Sequence, residues 1–208
     1  MKGKPAVLLV GPNPPWKIGG IERHMGQIAK LCRNRHRMEI AMYCSSPCKK
    51  EVGITVWNGV PVRVFRRQRV FPYWPHSFLE AINKVKRSKS FDLIHIQGVS
   101  TLEPLLTVFG NRDHLPYCIT PHFHPKASNS FFSFVKCIYD PFVVSRLLTN
   151  SKKIVCVSEA EEQLLLRSFG RNLHSKIQII PNGVDLAKFK RNPKRLSRSH
   201  VTLLYVGR

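Results

Sequence analysis

Five consecutive apolar residues, Ala6 to Val10, end at Gly11 and read as a short strand buried on both faces of a parallel sheet. The breaker-dense stretch Gly11-Pro12-Asn13-Pro14-Pro15-Trp16-Lys17-Ile18-Gly19-Gly20 follows as a loop, and Ile21, Met25, Ile28, Ala29 and Cys32 then recur at helical spacing. Glu39 to Cys44 predicts a second strand. Ile54 to Trp57 and Val60 to Phe65, joined by Asn58-Gly59, predict a hairpin decorating the main sheet. Further along, the pattern predicts a helix from about Ser77 to Arg87, a strand over Asp92 to Ile96, a helix over Thr101 to Phe109 and a strand over Tyr117 to Thr120. A long amphipathic stretch from Phe131 to Thr149 leads to a strand from Lys153 to Val157. Ser158-x-x-Glu161 has capping-box spacing before a Leu-rich helix, and Lys176 to Ile180 predicts a last strand, closed by Pro181-Asn182-Gly183. Strand and helix alternate some five times, which predicts a doubly wound, Rossmann-like α/β fold with right-handed crossovers.

The pattern changes after Asp185. Lys188, Lys190, Arg191, Lys194, Arg195 and Arg198 fall in a stretch without an acid, which reads as a solvated basic linker over 186–200. Val201 to Arg208 then resembles Ala6 to Gly11, another buried first strand. The expected organisation is one lobe over 1–185, the linker, and over 201–208 the first strand of a second α/β unit.

The 208 residues with 43% hydrophobic and 22% charged content suit a folded chain. Charge is the outlier: 34 Lys+Arg against 12 Asp+Glu give +22, a surface that attracts polyanions, whether nucleic acid, anionic lipid headgroups or phosphorylated small molecules. No apolar run approaches the ~20 residues needed to cross a bilayer, and Met1 to Pro5 shows no secretory pattern, so the expected location is the cytoplasm. The six cysteines sit mostly in apolar runs and read as free thiols. Cys44-x₃-Cys48 is the one close pair and lacks the second pair of a zinc site.

Candidate chemistry gathers where strands end. Gly19 and Gly20 open a helix, where free N–H groups and the dipole favour an anion and the absent side chains let a phosphate approach; a plain tight turn is the alternative. His122 lies just beyond a strand's carboxyl end, the edge where open α/β sheets place ligands, and its imidazole can hydrogen-bond a ligand hydroxyl or an oxygen on which charge develops; a structural, non-catalytic histidine is the alternative. His124 follows two residues on, so a metal pair has to be weighed, but no third ligand is evident. Ser158, Glu159 and Glu161 read as a helix cap with acids in the first turn, and His24 as a residue of a helix's polar face. The clusters Lys30/Arg33/Arg35/Arg37, Arg63/Arg66/Arg67/Arg69 and Lys84/Lys86/Arg87/Lys89 each read as a solvated face. With Phe71-Pro72-Tyr73-Trp74 beside them they fit a lobe resting on an anionic membrane surface.

Taken in order, four segments resemble the amino-terminal lobe of the GT-B glycosyltransferases, specifically the retaining family 4. Pro14-Pro15-x₃-Gly19-Gly20-x-Glu22-x-His24 looks like the family's Gly-Gly loop, and Thr120-Pro121-His122-Phe123-His124 like its Thr-x-His segment. Val157-Ser158-Glu159 looks like the start of its late helix, and Ile180-Pro181-Asn182-Gly183-Val184-Asp185 like its interdomain hinge. One segment departs: where members often have His-x-His, this chain has His95-Ile96-Gln97, and the resemblance carries no role in acceptor contact over to it. It implies transfer of a hexosyl group from a UDP-, GDP- or ADP-linked sugar to a sugar or lipid-linked acceptor with retention, without a resident metal or cofactor. Gly19 and Gly20 would lie near the diphosphate, His122 near the transferred sugar, and Arg208 would match a donor-binding arginine of the second lobe. That lobe's lysine and paired glutamates have no counterpart here, so the 208 residues are expected to be inactive alone and to need a separate carboxyl-terminal lobe. The competing class is a noncatalytic module that binds acceptor or partner. A nucleic-acid-binding domain is favoured only by net charge, and no recognition helix, zinc finger or RNP-like strand supports it.

Overall fold

A computed structural model describes residues 4–67, 76–87, 90–111, 115–124, 139–184 and 186. The strands are β1 (Ala6–Val10), β2 (Glu39–Ser46), β3 (Gly53–Trp57), β4 (Val60–Arg66), β5 (Leu93–Gln97), β6 (Tyr117–Thr120), β7 (Lys153–Cys156) and β8 (Ile177–Ile179). The helices are α1 (Gly20–His36), α2 (His76–Arg87), α3 (Leu102–Gly110), α4 (Ser145–Asn150), continuous with a π-helical turn at Asp140–Val144, and α5 (Glu159–Phe169). Short 3₁₀ turns stand at Lys49–Glu51 and Arg171–Lys176.

Among the described residues all eight strands form one sheet, in the order β3-β4-β2-β1-β5-β6-β7-β8. Every pairing is parallel except that of β3 with β4. The expected hairpin is present and enters the sheet itself, because β4 is the parallel neighbour of β2, with Met42 opposite Val62. Its turn has positive φ at both Asn58 (47°) and Gly59 (77°), the I′ geometry whose twist matches the flanking strands.

Period-two alternation explains why both faces of the sheet are covered. On β1, Leu8 and Val10 join one apolar cluster with Phe78, Ala81 and Ile82 of α2 and Leu106 of α3, while Leu9 joins another with Met25 and Ala29 of α1. On β2, Ile40, Met42 and Cys44 pack on the α1 side and Ala41 and Tyr43 on the other. Phe78 is the largest fully buried side chain and is edge-on to Phe65, which is in turn edge-on to Tyr43. Truncating Phe78 to Ala would cost about 3–5 kcal/mol.

The amphipathic stretch expected over Phe131 to Thr149 is described only from residue 139 on, as the π turn and α4. The linker (apart from Leu186), the strand over 201–208, Phe71 to Trp74, Asp185 and Arg208 lie outside the described residues.

Candidate active site

The chain leaves β1 toward β2 on one side and returns to place β5 on the other, so the sheet's topological switch point lies between β1 and β5. Open α/β sheets bind ligands in the crevice beyond the carboxyl ends of strands at this point. Three segments meet there: the loop from Gly11 to Gly19, the end of β5 with Gln97 and Gly98, and the exit of β6 through His122.

The loop after β1 is tied down by charge. Arg67, just past β4, donates from Nη2 to the carbonyl of Pro12, to Asn13 Oδ1 (2.8 Å) and to the Ser45 carbonyl (2.9 Å). Its Nε donates to Ser45 Oγ (3.1 Å) and lies 3.4 Å from Oε1 of the buried Glu103 on α3. Ser45 Oγ donates to the same carboxylate oxygen. Farther along the loop, Lys17 Nζ pairs with Glu51 at 2.6 Å, and Trp16 Nε1 donates to the same oxygen at 3.2 Å. Arg67 is therefore a strap between four segments, not part of a solvated basic face as its cluster predicts.

Gly19 is the N-cap of α1, in extended backbone (φ −176°) that any residue adopts, and no side chain caps the helix. Its glycine identity is explained by space: a Cβ there would collide with the Glu22 carboxylate, which is buried and accepts from Asn13 Nδ2 at 2.7 Å. Glu22 thus brings its own negative charge to the positive end of α1. A Cβ on Gly20 meets nothing within 4 Å, so the first turn of α1 is open from that side.

The exit of β6 is held by neutral groups and one carboxylate. His122 is in left-handed backbone, φ 47°, uncommon for a residue with a Cβ. The next residue is clamped: Glu161 of α5, itself buried, accepts from the Phe123 N–H (2.9 Å) with one oxygen and from the Val157 N–H (2.8 Å) with the other. The expected cap forms, since Ser158 Oγ accepts from the Glu161 N–H at 3.2 Å. The glutamate, however, reaches back past the cap to join β7 to the His122 loop, a role sequence spacing does not reveal.

Gln97, fully buried at the end of β5, sits between two imidazoles, with Oε1 3.3 Å from His122 Nε2 and Nε2 3.0 Å from His95 Nε2. His95 Nε2 is also 2.9 Å from Thr120 Oγ1. With the amide in this orientation, its oxygen accepts a hydrogen bond from His122 Nε2–H, which leaves Nδ1 as that ring's acceptor. Burial first, and then the neighbouring histidines, push the pKa of both His95 and His122 down to about 4, so both rings are neutral at pH 7.

His24 of α1 closes the gap between the two loops. Its ring is edge-on to His122 at 5.3 Å, which replaces the polar-face position expected for it. Its pKa is lowered by burial, against a hydrogen bond donated to Asn182 and the charge of Glu161. Its Nε2 is buried without a hydrogen-bond partner among the described residues. Asn182 of the Pro-Asn-Gly segment is thereby linked to the same cluster.

His124 is exposed, Cys44 is buried with its thiol pKa raised by burial, and Cys48 is exposed. Among the described residues no three His, Cys, Asp or Glu side chains are grouped to hold a metal ion. Sequence reasoning missed Gln97, His95, Arg67 and Glu103. Only the first two left a signal, as two polar residues on one face of the otherwise apolar β5.

Fold and site together define a Rossmann-like α/β lobe with a ligand edge built from α1, β5 and β6. The model for Glycosyltransferase Family 4 matches residues 18–188, from the Gly-Gly loop through the Asn182 segment, and the chain belongs to that family as the amino-terminal lobe of a GT-B glycosyltransferase. No curated protein matches the chain. Among the described residues no helix is long and apolar enough to cross a membrane.

Proposed function

We propose that this chain is the acceptor-side lobe of a retaining hexosyltransferase that moves a hexosyl group from a nucleotide sugar to an acceptor hydroxyl. The observation that carries the reading is the convergence of a neutral His122, the unsatisfied His24 Nε2 and the open first turn of α1 at one end of the sheet. A neutral imidazole with Nε2 committed to Gln97 offers Nδ1 to a sugar hydroxyl, as positioning of a transferred hexose requires. Glu22 already supplies a carboxylate at Gly19, so a diphosphate approaches α1 from the Gly20 side. Arg67 is committed to Pro12, Asn13, Ser45 and Glu103, so stabilising the departing diphosphate falls to a carboxyl-terminal lobe, with Arg208 at its start.

The test is a nucleotide-sugar hydrolysis and transfer assay on the 208 residues and on the chain completed with a carboxyl-terminal lobe in cis or in trans. Turnover is expected only on completion, with the product's anomeric configuration that of the donor. His122→Ala is expected to lower kcat/KM of the completed enzyme by on the order of 10²-fold. If a folded, completed enzyme neither turns over nor binds any donor, the noncatalytic binding module becomes the better reading. The exposed cations on α1 (Lys30, Arg33, Arg35), at its C-cap (Arg37) and at Lys84 support a second element, peripheral contact with anionic membrane. Cosedimentation at physiological salt should favour anionic over neutral vesicles, and equal binding to both would sink it.

A further inference from the structure

The hairpin edge of the sheet carries an unpaired strand whose chemistry specifies a partner. Among the described residues β3 pairs with β4 and with no strand on its other side. Trp57 lies opposite Val60 across the two-residue turn, so this pair is hydrogen-bonded, and alternation makes Thr55–Val62 and Gly53–Val64 hydrogen-bonded as well. Val56 and Ile54 occupy the intervening positions, opposite Pro61 and Arg63, and their N–H and C=O groups therefore point outward from the sheet. Pro61, which has no N–H to give, fits this register. The side chains of the same two residues are 78% (Ile54) and 68% (Val56) exposed and share one face.

Natural edges are usually blunted by lysine, proline or a bulge within the strand, and Gly53-Ile54-Thr55-Val56-Trp57 has none of these. The cations stand instead at its two ends. Exposed Lys49 and Lys50 stand with Glu51, whose charge is paired with Lys17, in the 3₁₀ turn that ends one residue before it, and the exposed Arg33 guanidinium lies beside Gly59 at the hairpin tip. A second copy of the chain pairing antiparallel on this edge would bring Lys49 and Lys50 of one copy against Arg33 of the other, between molecules that each carry +22. An acidic strand would meet attraction at both ends.

We propose that β3 is a docking edge for an extended acidic peptide segment of a partner protein, which adds as a further strand with apolar residues at alternate positions against Ile54 and Val56. The surface lies on the opposite arm of the sheet from β6 and is independent of the transferase reading.

The test uses the whole chain in 150 mM salt with the peptide Glu-Val-Glu-Val-Glu-Val-Glu, its Lys-for-Glu counterpart, and the acidic peptide with proline at its central valine. Hydrogen exchange is followed residue by residue. The acidic peptide should slow exchange of the Ile54 and Val56 amides at least tenfold and leave Thr55 and Trp57, already bonded to β4, nearly unchanged. Val56→Pro removes an outward N–H without touching the β4 ladder, and should weaken binding at least tenfold; Ile54→Glu, read in the same way, covers the case in which the proline variant fails to fold. Equal binding of the lysine or proline peptide, or absence of protection at Ile54 and Val56, overturns the proposal. So does protection in the free chain that grows with protein concentration, which would make a second copy the occupant.

Discussion

The loop leaving β1 and the loop leaving β6 face each other across His24, yet they are fixed by opposite kinds of chemistry. The first is held by ions: Arg67 against Glu103, and Lys17 against Glu51. The second is held by neutral imidazole and amide groups, His122, Gln97 and His95, with Glu161 spent on two backbone N–H groups. A partly buried ion pair is costly to break on one side only, because the remaining charge stays desolvated. A neutral histidine network is instead vulnerable to protonation. One wall of the site should therefore respond to single charge deletions, and the other to pH.

The sharpest break of this comparison is Arg67→Met, which leaves Glu103 buried and unpaired and releases Pro12, Asn13 and Ser45. Thermal or denaturant unfolding should show a loss of about 3 kcal/mol, with Glu103→Met added on the same chain recovering a substantial part. Full additivity of the two changes would mean that the pair is not coupled.

Acidification should strike the other wall. The pKa values of His95 and His122 are about 4 in the folded chain, against an ordinary value of 6.5, so the unfolded chain binds more protons between these limits. The associated stability is fully present above about pH 6.5 and is lost as pH falls toward 4. The loss should be about 3 kcal/mol for each of the two rings across that window, and Gln replacement of His95 should remove about half of it. A flat wild-type profile from pH 6.5 to 4 would contradict the neutral-network account.

Glu161→Gln tests the carboxylate that joins the loop leaving β6 and the end of β7 to the late helix. One amide oxygen replaces two acceptors, so either Phe123 or Val157 faces an NH₂ group, at a cost of about 2 kcal/mol in unfolding free energy. The smallest effect separates the two glycines. Gly19→Ala must displace Glu22 and should cost about 1 kcal/mol, whereas Gly20→Ala meets open space and should be neutral or stabilising by a few tenths of a kcal/mol. Equal losses at both positions would show that the Glu22 contact does not explain Gly19.

Much of this was legible in the chain. Continuous apolar runs separated by helical periodicity fix buried parallel strands and covering helices, and Asn58-Gly59 fixes a hairpin, because these depend on side-chain period and local φ preference alone. Ser158 as a cap was equally local. The same locality placed His122 at a strand's carboxyl end and Gly19 and Gly20 at a helix start. It could not show that Glu22 folds back onto Gly19 or that Gln97, read as a departure from the family pattern, is the hydrogen-bond centre of the site. Nor could it show that Arg67, one of several arginines in a basic cluster, is tied to three other segments. Apart from Glu22 and Gly19, those partners are separated by up to 55 residues along the chain, and only the strand order β4-β2-β1-β5-β6 brings them together. The sequence by itself determined the elements, their order and the family; tertiary structure decided which polar groups are buried, who neutralises them and how His122 is presented, because burial and pairing are properties of neighbours in space.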